Sequence, residues 1–298
     1  MADRKKIKKP SLRTVVQAVW TALTNGYAYG FINGKIYTGR TKSLCVPGLN
    51  CYSCPGALGS CPIGALQATL GSPSHKFAFY TFGMLMLFGS IFGRFICGWL
   101  CPFGLVQDLL HKIPVFRKIK KLPGHKILRW LKYIVLAVFV LLLPAVIADE
   151  AGIGMPWFCE YICPSGMLSG GIPLVAANEE LRSAVGIRFI WKLSLLLLII
   201  IGSVKIYRPF CKYLCPLGAF YSLFNRISLY RYRSLKEKCT DCGACEKVCQ
   251  MGIKPDMTPN SLECIRCGKC IKICPHNAIE KVDLLTAFRK ENLIDKNN

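Results

Sequence analysis

Long apolar runs, separated by short polar and basic stretches, dominate the first two thirds of the chain. Four of them approach the roughly 20 residues that a helix needs to cross a bilayer core. They cover about 14–33, 77–97, 130–148 and 186–207. The first, Thr14 to Asn33, is uncharged but mildly polar, and the second is interrupted only by Arg94. The third is rich in Leu and Val with Pro144 near its end, and the fourth centres on Leu195 to Ile201. This pattern predicts an α-helical membrane protein with four transmembrane helices over 1–235. A small α+β domain follows over 236–281, and then a tail, 282–298, that begins as a short helix and ends in polar residues.

Composition agrees. Hydrophobic residues make up 52% of the 298 and charged residues 18%, too apolar a balance for an ordinary soluble domain. The net charge of +23 would suit nucleic acid or an anionic membrane surface. Its distribution decides otherwise, because it lies beside the apolar runs, where positive residues set topology. No nucleic-acid partner is expected. Arg4, Lys5, Lys6, Lys8 and Lys9 precede the first run. Lys112, Arg117, Lys118, Lys120, Lys121, Lys126 and Arg129 follow the second, and Arg226, Arg231, Arg233, Lys236 and Lys238 follow the fourth. If the first run spans, all three groups are cytoplasmic, as are both termini of a multi-pass protein of the cytoplasmic membrane. Residues 34–76 and 149–185 are then expected outside or in the outer leaflet. The second of these carries Asp149, Glu150, Glu160, Glu179 and Glu180. No small-residue cleavage site follows a compact apolar core, so no removed signal peptide is expected.

The eighteen cysteines carry the chemistry. Cys239-x2-Cys242-x2-Cys245-x3-Cys249 and Cys264-x2-Cys267-x2-Cys270-x3-Cys274-Pro275 form the bacterial two-cluster ferredoxin pattern, in which the fourth ligand of each run serves the other cluster. One [4Fe–4S] cluster is therefore assigned to Cys239, Cys242, Cys245 and Cys274, the other to Cys264, Cys267, Cys270 and Cys249. Zinc also uses Cys-x2-Cys pairs, but does not call for two full runs with exchanged fourth ligands. Gln250 stands where many such ferredoxins have Pro, which removes no ligand.

A second motif repeats through the apolar part, as Cys61-Pro62-Ile63-Gly64, Cys101-Pro102-Phe103-Gly104, Cys163-Pro164-Ser165-Gly166 and Cys215-Pro216-Leu217-Gly218. The simplest account is two tandem halves, each with two helices and two motifs. Three of the motifs carry a further cysteine four residues earlier, giving the pairs Cys97/Cys101, Cys159/Cys163 and Cys211/Cys215, each on one side of a helical turn. Cys97, Cys101, Cys211 and Cys215, at equivalent cytoplasmic helix ends, are expected to share one cluster. On the outer side, Cys54 and Cys61 with Cys159 and Cys163 form one candidate set; Cys45, Cys51, Cys54 and Cys61 form another. Two or three disulfides there would need neither set. In all, four [4Fe–4S] clusters are expected.

At Cys97-Gly-Trp-Leu-Cys101-Pro102, Cys211-Lys-Tyr-Leu-Cys215-Pro216 and the ferredoxin runs, the chain resembles a family of polytopic membrane ferredoxins. These include the membrane quinol-dehydrogenase subunit of periplasmic nitrate reductase systems, the nitrous-oxide reductase regulator and cytochrome oxidase maturation polyferredoxins. The resemblance covers roughly 75–280. It implies a four-helix protein passing electrons between the membrane quinone pool, or a redox protein partner, and cytoplasm-facing clusters. The outer cysteines exceed the simplest members. No Thr-containing flavin-attachment motif is present, so covalent flavin is not expected. Three functions fit: a transmembrane electron conduit, a quinol or quinone oxidoreductase subunit with disulfides outside, and a redox sensor or metal-centre assembly factor. No catalytic residue is assigned. His75, His111, His125 and His276 show no haem-attachment or zinc spacing, and His111 is the best placed for a quinone. Trp99, Trp130, Trp157 and Trp191 match an interfacial belt.

Overall fold

The computed structural model describes residues 11–72, 79–115, 118–119, 122–147 and 153–282. Outside the described residues lie the basic N-terminal cluster, His75, Arg117, Lys120, Lys121, Asp149, Glu150 and the tail beyond 282.

Two of the described helices are long and apolar enough to cross a membrane, His125–Val146 and Ile187–Lys205, with mean hydropathies of 2.0 and 2.1. The other two expected spans are shorter as helices. The run over 14–33 is a helix at Leu12–Thr24, a break, and a short helix at Ala28–Asn33. The Asn25-Gly26 pair is the break, since both residues favour turn conformations over helix. Thirteen residues rise only about 20 Å, short of a bilayer core. The run over 77–97 holds an apolar helix at Phe79–Phe92 that stops at Gly93, whose φ of 51° is left-handed, and Arg94. A separate turn, Phe95–Trp99, follows. Four continuous spanning helices are therefore not what the fold contains among the described residues.

The helices assemble around one core that includes Ile96, Phe103, Val135, Phe158, Phe210 and Leu217 together with Cys61, Cys97, Cys101, Cys163 and Cys215. Leu12–Thr24 and Ile187–Lys205 both pack on Pro102–Leu110, while Pro216–Leu223 packs on Phe79–Phe92 and on His125–Val146. The segment between Asn33 and Pro62, part of the 34–76 stretch expected outside or in the outer leaflet, packs into this core. The Tyr221 hydroxyl donates to the Pro47 carbonyl at 3.1 Å, and Gly48 lies against Cys101. Irregular backbone in the core is tolerated because its polar groups are paired within the protein. The Val46 N–H donates to the Ser60 carbonyl and the Ser60 N–H to the Leu44 carbonyl, Asn50 Nδ2 donates to the Gly59 carbonyl, and Lys42 Nζ donates to the Ala57 carbonyl.

At the C-terminal end, β1 (Arg231–Ser234) pairs antiparallel with β2 (Ile279–Val282), with Arg231 opposite Val282. Between them the short helices Ala244–Val248 and Lys269–Ile273 pack together. The strand pair thus begins at Arg231, a few residues before the boundary expected at 235. Buried ion pairs fix this unit to the helical part. Glu263 accepts from Arg94 at 2.9 Å and from Lys132 at 2.6 Å.

Candidate iron–sulfur sites

The four Cys-Pro-x-Gly motifs share one local structure. Each cysteine precedes a helix and is extended, with φ between −68° and −81° and ψ between 108° and 129°. A following proline disfavours the helical region for the residue before it. Its missing N–H costs nothing at the first helical position. The chain therefore enters each helix with the cysteine held just ahead of the unsatisfied N-terminal amides. The amide of the motif glycine faces the sulfur three residues back in every case, at 3.3 Å for Gly218 and Cys215. Glycine also leaves room for the opposite half. A methyl group at Gly104 would lie 3.2 Å from the Arg208 guanidinium, and one at Gly218 would lie 3.3 Å from that of Arg94.

Around the first site, Cys97 and Cys101 from one half face Cys211 and Cys215 from the other, all four buried. Arg94 and Arg208 stand three residues before Cys97 and Cys211, and each reaches across to the other half. Arg94 donates to the Cys211 carbonyl and Arg208 to the Cys97 carbonyl. Each guanidinium is fully buried and paired, Arg94 with Glu263 and Arg208 with Asp108, through Nε at 2.8 Å and Nη2 at 2.6 Å. Arg13 adds a second cation to Asp108. Burial pushes the Cys211 thiol up to about 11, although Arg208 opposes it, and burial together with Cys211 pushes Cys215 well up.

The second site is a cavity of about 670 Å³ lined by Cys51, Cys61, Cys159 and Cys163, with Lys42 and Lys192 at its wall. Cys54 is not among its lining residues. A turn runs from Cys51 to Cys54, closed by the Cys54 N–H donating to the Cys51 carbonyl. Cys51 lies against Gly166, while the Cys54 thiol faces Asn25 Oδ1 at 3.7 Å. Cys45 is also elsewhere, its thiol 3.5 Å from Ser60 Oγ. The structure therefore groups neither set read from the sequence; it combines members of both. Burial pushes Cys61 up to about 11 and Cys163 up to about 12.

The third and fourth groups coincide with the sequence assignment. Cys239, Cys242, Cys245 and Cys274 line one cavity of about 220 Å³, beside His276. Cys249, Cys264, Cys267 and Cys270 line another, with Tyr207, Tyr232 and Met251. The cross-over of Cys249 and Cys274 is thus present in the fold. Burial pushes Cys264 and Cys270 up to about 12.

All eighteen cysteines are free thiols. Among the described residues no three His, Cys, Asp or Glu side chains are close enough to hold a single metal ion. Thiols gathered in fours from separate segments suit a polynuclear cluster. The charge of bound metal would also deprotonate thiols that burial otherwise keeps neutral.

Sequence reading missed several groups that shape these sites. Arg208, Asp108, Glu263, Gln67 and Gln107 drew no notice, and Arg94 counted only as an interruption. The signal was the shared spacing, Arg94-x2-Cys97 and Arg208-x2-Cys211. His111 Nδ1 pairs with the Ser203 carbonyl at 3.2 Å, and His125 Nδ1 with the Tyr213 hydroxyl at 3.0 Å. Trp99, read as interfacial, donates from Nε1 to the Arg266 carbonyl.

Two models, both described as 4Fe–4S binding domains, match the chain. One covers residues 74–123, 133–174 and 188–233, and the other 257–280. The chain is a protein of the 4Fe–4S ferredoxin type, as its cysteine motifs implied. It is 34% identical over 184 residues to the uncharacterized protein MJ0750 of Methanocaldococcus jannaschii, covering 59% of this chain and 66% of that protein. It is 28% identical over 196 residues to the regulatory protein NosR of Stutzerimonas stutzeri, 62% of this chain and 23% of that one. It is 29% identical over 191 residues to the methylamine utilization ferredoxin-type protein MauN of Methylorubrum extorquens, 63% and 59% respectively. The chain spans less than two thirds of the length of each of these relatives. No solved structure matches it.

Proposed function

We propose that the chain is a membrane-bound electron-transfer protein holding four [4Fe–4S] clusters. Their ligands are Cys51/Cys61/Cys159/Cys163, Cys97/Cys101/Cys211/Cys215, Cys249/Cys264/Cys267/Cys270 and Cys239/Cys242/Cys245/Cys274. Cys51 takes the place that the sequence offered to Cys54. Each cluster, when bound, supplies a one-electron carrier. The protein's own part is to hold sixteen thiols in four groups, fifteen of them buried or half-buried and Cys242 exposed, and to keep neighbouring groups in contact.

The observation that carries this reading is the continuity from group to group. The Leu49 amide faces the Cys101 thiol and the Asn50 amide faces Cys61, so adjacent residues of one loop join the first two sites. Fully buried Tyr221 neighbours Cys97 and Cys101 on one hand and Cys61 on the other. On the opposite flank, Gly98 packs against the Ile265 carbonyl, between Cys97 and the Cys264 run. This order suits a relay from a membrane or extracytoplasmic donor or acceptor, a quinone or redox protein, to the ferredoxin clusters and a cytoplasmic partner. We place His125–Val146 and Ile187–Lys205 across the membrane and both termini in the cytoplasm. Iron and acid-labile sulfide in anaerobically purified full-length protein test the cluster number. Four clusters per chain are expected, and two, confined to the ferredoxin runs, would reject the relay.

A further inference from the structure

Two glutamines occupy matching places beside the two helical-part sites. Gln67 and Gln107 each stand six residues after a motif cysteine, Cys61 and Cys101 respectively, on the helix that this cysteine begins. Both are buried, at 0% and 1% exposure. Each reaches a sulfur contributed by the other half of the repeat. Gln67 Nε2 lies 3.3 Å from Cys159 Sγ, and Gln107 Nε2 lies 3.1 Å from Cys211 Sγ. Cys159 and Cys211 are themselves equivalent, each the first cysteine of a Cys-x3-Cys-Pro pair.

Which end of each amide meets the sulfur is dictated by the surroundings. Gln67 Oε1 accepts from the Phe158 N–H at 3.0 Å, and its Nε2 also donates to the Ile63 carbonyl. Gln107 Nε2 faces the Phe103 carbonyl, which only a donor can satisfy, while its Oε1 has no partner. A buried amide oxygen without a partner is costly. A glutamine retained in that setting is explained by what its other end does.

We infer that Gln67 and Gln107 are a matched pair of neutral N–H···S donors that raise the reduction potentials of the two helical-part clusters. This deepens the reading above and rests on clusters being present at those sites. One added electron places negative charge partly on the thiolate sulfurs, with no bond made or broken. A donor fixed on that sulfur stabilises the reduced form more than the oxidised form, and so raises the potential. A carboxamide does this without adding a charge to a site that already holds Arg94 and Arg208. The ferredoxin groups have no glutamine side chain on a cysteine sulfur among the described hydrogen bonds.

The test is an electrode-controlled redox titration of the full chain in detergent, followed by electron paramagnetic resonance, with iron counted in each sample. Gln107→Met should shift one midpoint potential negative and leave the others in place, and Gln67→Met should shift a different one. Gln107→Glu keeps the shape but turns an acceptor toward the sulfur, so its shift should exceed that of Gln107→Met. Full iron with unmoved potentials in these variants overturns the inference. So does loss of the same cluster's iron from both Gln107 variants, which would make the residue an assembly element instead. A wild-type protein with only two clusters would reject the relay itself, a result distinct from either.

Discussion

At the scale of single residues, a Cys-x2-Cys-x2-Cys run sets three thiols on one loop, and the fold brings a distant fourth to each run, Cys274 beside Cys239, Cys242 and Cys245, and Cys249 beside Cys264, Cys267 and Cys270. Spacing offers no such rule between Asn33 and Pro62. Cys51 and Cys54 stand at the two ends of a four-residue turn, and only the fold decides which of them lines the second site. Cys51→Ser is therefore expected to lose one cluster's iron, whereas Cys54→Ser keeps the full count; matched iron and sulfide assays on both variants check this. The buried ions were illegible for a related reason. Arg94 and Glu263 are 169 residues apart in sequence, and their value lies in meeting. Desolvation pushes the Glu263 carboxyl up, but Arg94 and Lys132 outweigh it and hold it below the usual range, so it stays ionised. Glu263→Ala would leave both cations buried without a partner, a loss of about 3–5 kcal/mol. Thermal bleaching of the cluster absorbance should occur well below the wild-type temperature, and an unchanged transition would show that the three charges are not coupled as described.

At the scale of elements, the long apolar runs announced His125–Val146 and Ile187–Lys205 well, since continuous Leu, Ile and Val leave no other way to satisfy the backbone in an apolar setting. Hydropathy was a poorer guide where turn chemistry intervened. Asn25-Gly26 and Gly93-Arg94 are brief, and averaging over a bilayer-length window hides them. Yet these breaks shape the sites. The second lets Phe95–Trp99 turn away from Phe79–Phe92 and bring Cys97 to face Cys211. On that short turn Gly98 meets the Ile265 carbonyl, and an added methyl would lie 2.3 Å from the oxygen. Neither side of this contact is a flexible side-chain end. Gly98→Ala should force the ferredoxin unit back, at a cost of about 1–3 kcal/mol. We expect normal iron content but faster proteolytic release of the C-terminal unit, and a wild-type digestion rate would mean the contact is not limiting.

At the scale of the whole molecule, the repeat matters more than any one helix. Each half supplies two cysteines on one turn, and neither pair completes a cubane. The halves are held in register by reciprocal arginines, Arg94 on the Cys211 carbonyl and Arg208 on the Cys97 carbonyl, each neutralised by a carboxylate from another element. The sequence disclosed the repeat, because four copies of Cys-Pro-x-Gly are hard to miss, and the fold sets Cys97/Cys101 against Cys211/Cys215. The sequence did not disclose that the segment between Asn33 and Pro62 enters the same core, since nothing in the polarity of Pro47-Gly48 distinguishes a surface turn from a buried one. The arrangement makes a specific demand. If the four thiols form one site, Cys97→Ser and Cys215→Ser must each abolish the same cluster, and the double variant must remove no more iron than either single one. The spectra of the two reduced single variants should then superimpose, with the ferredoxin signals intact in both. Different missing signals, or a double variant that loses twice the iron, would separate the halves and leave the relay without its central step.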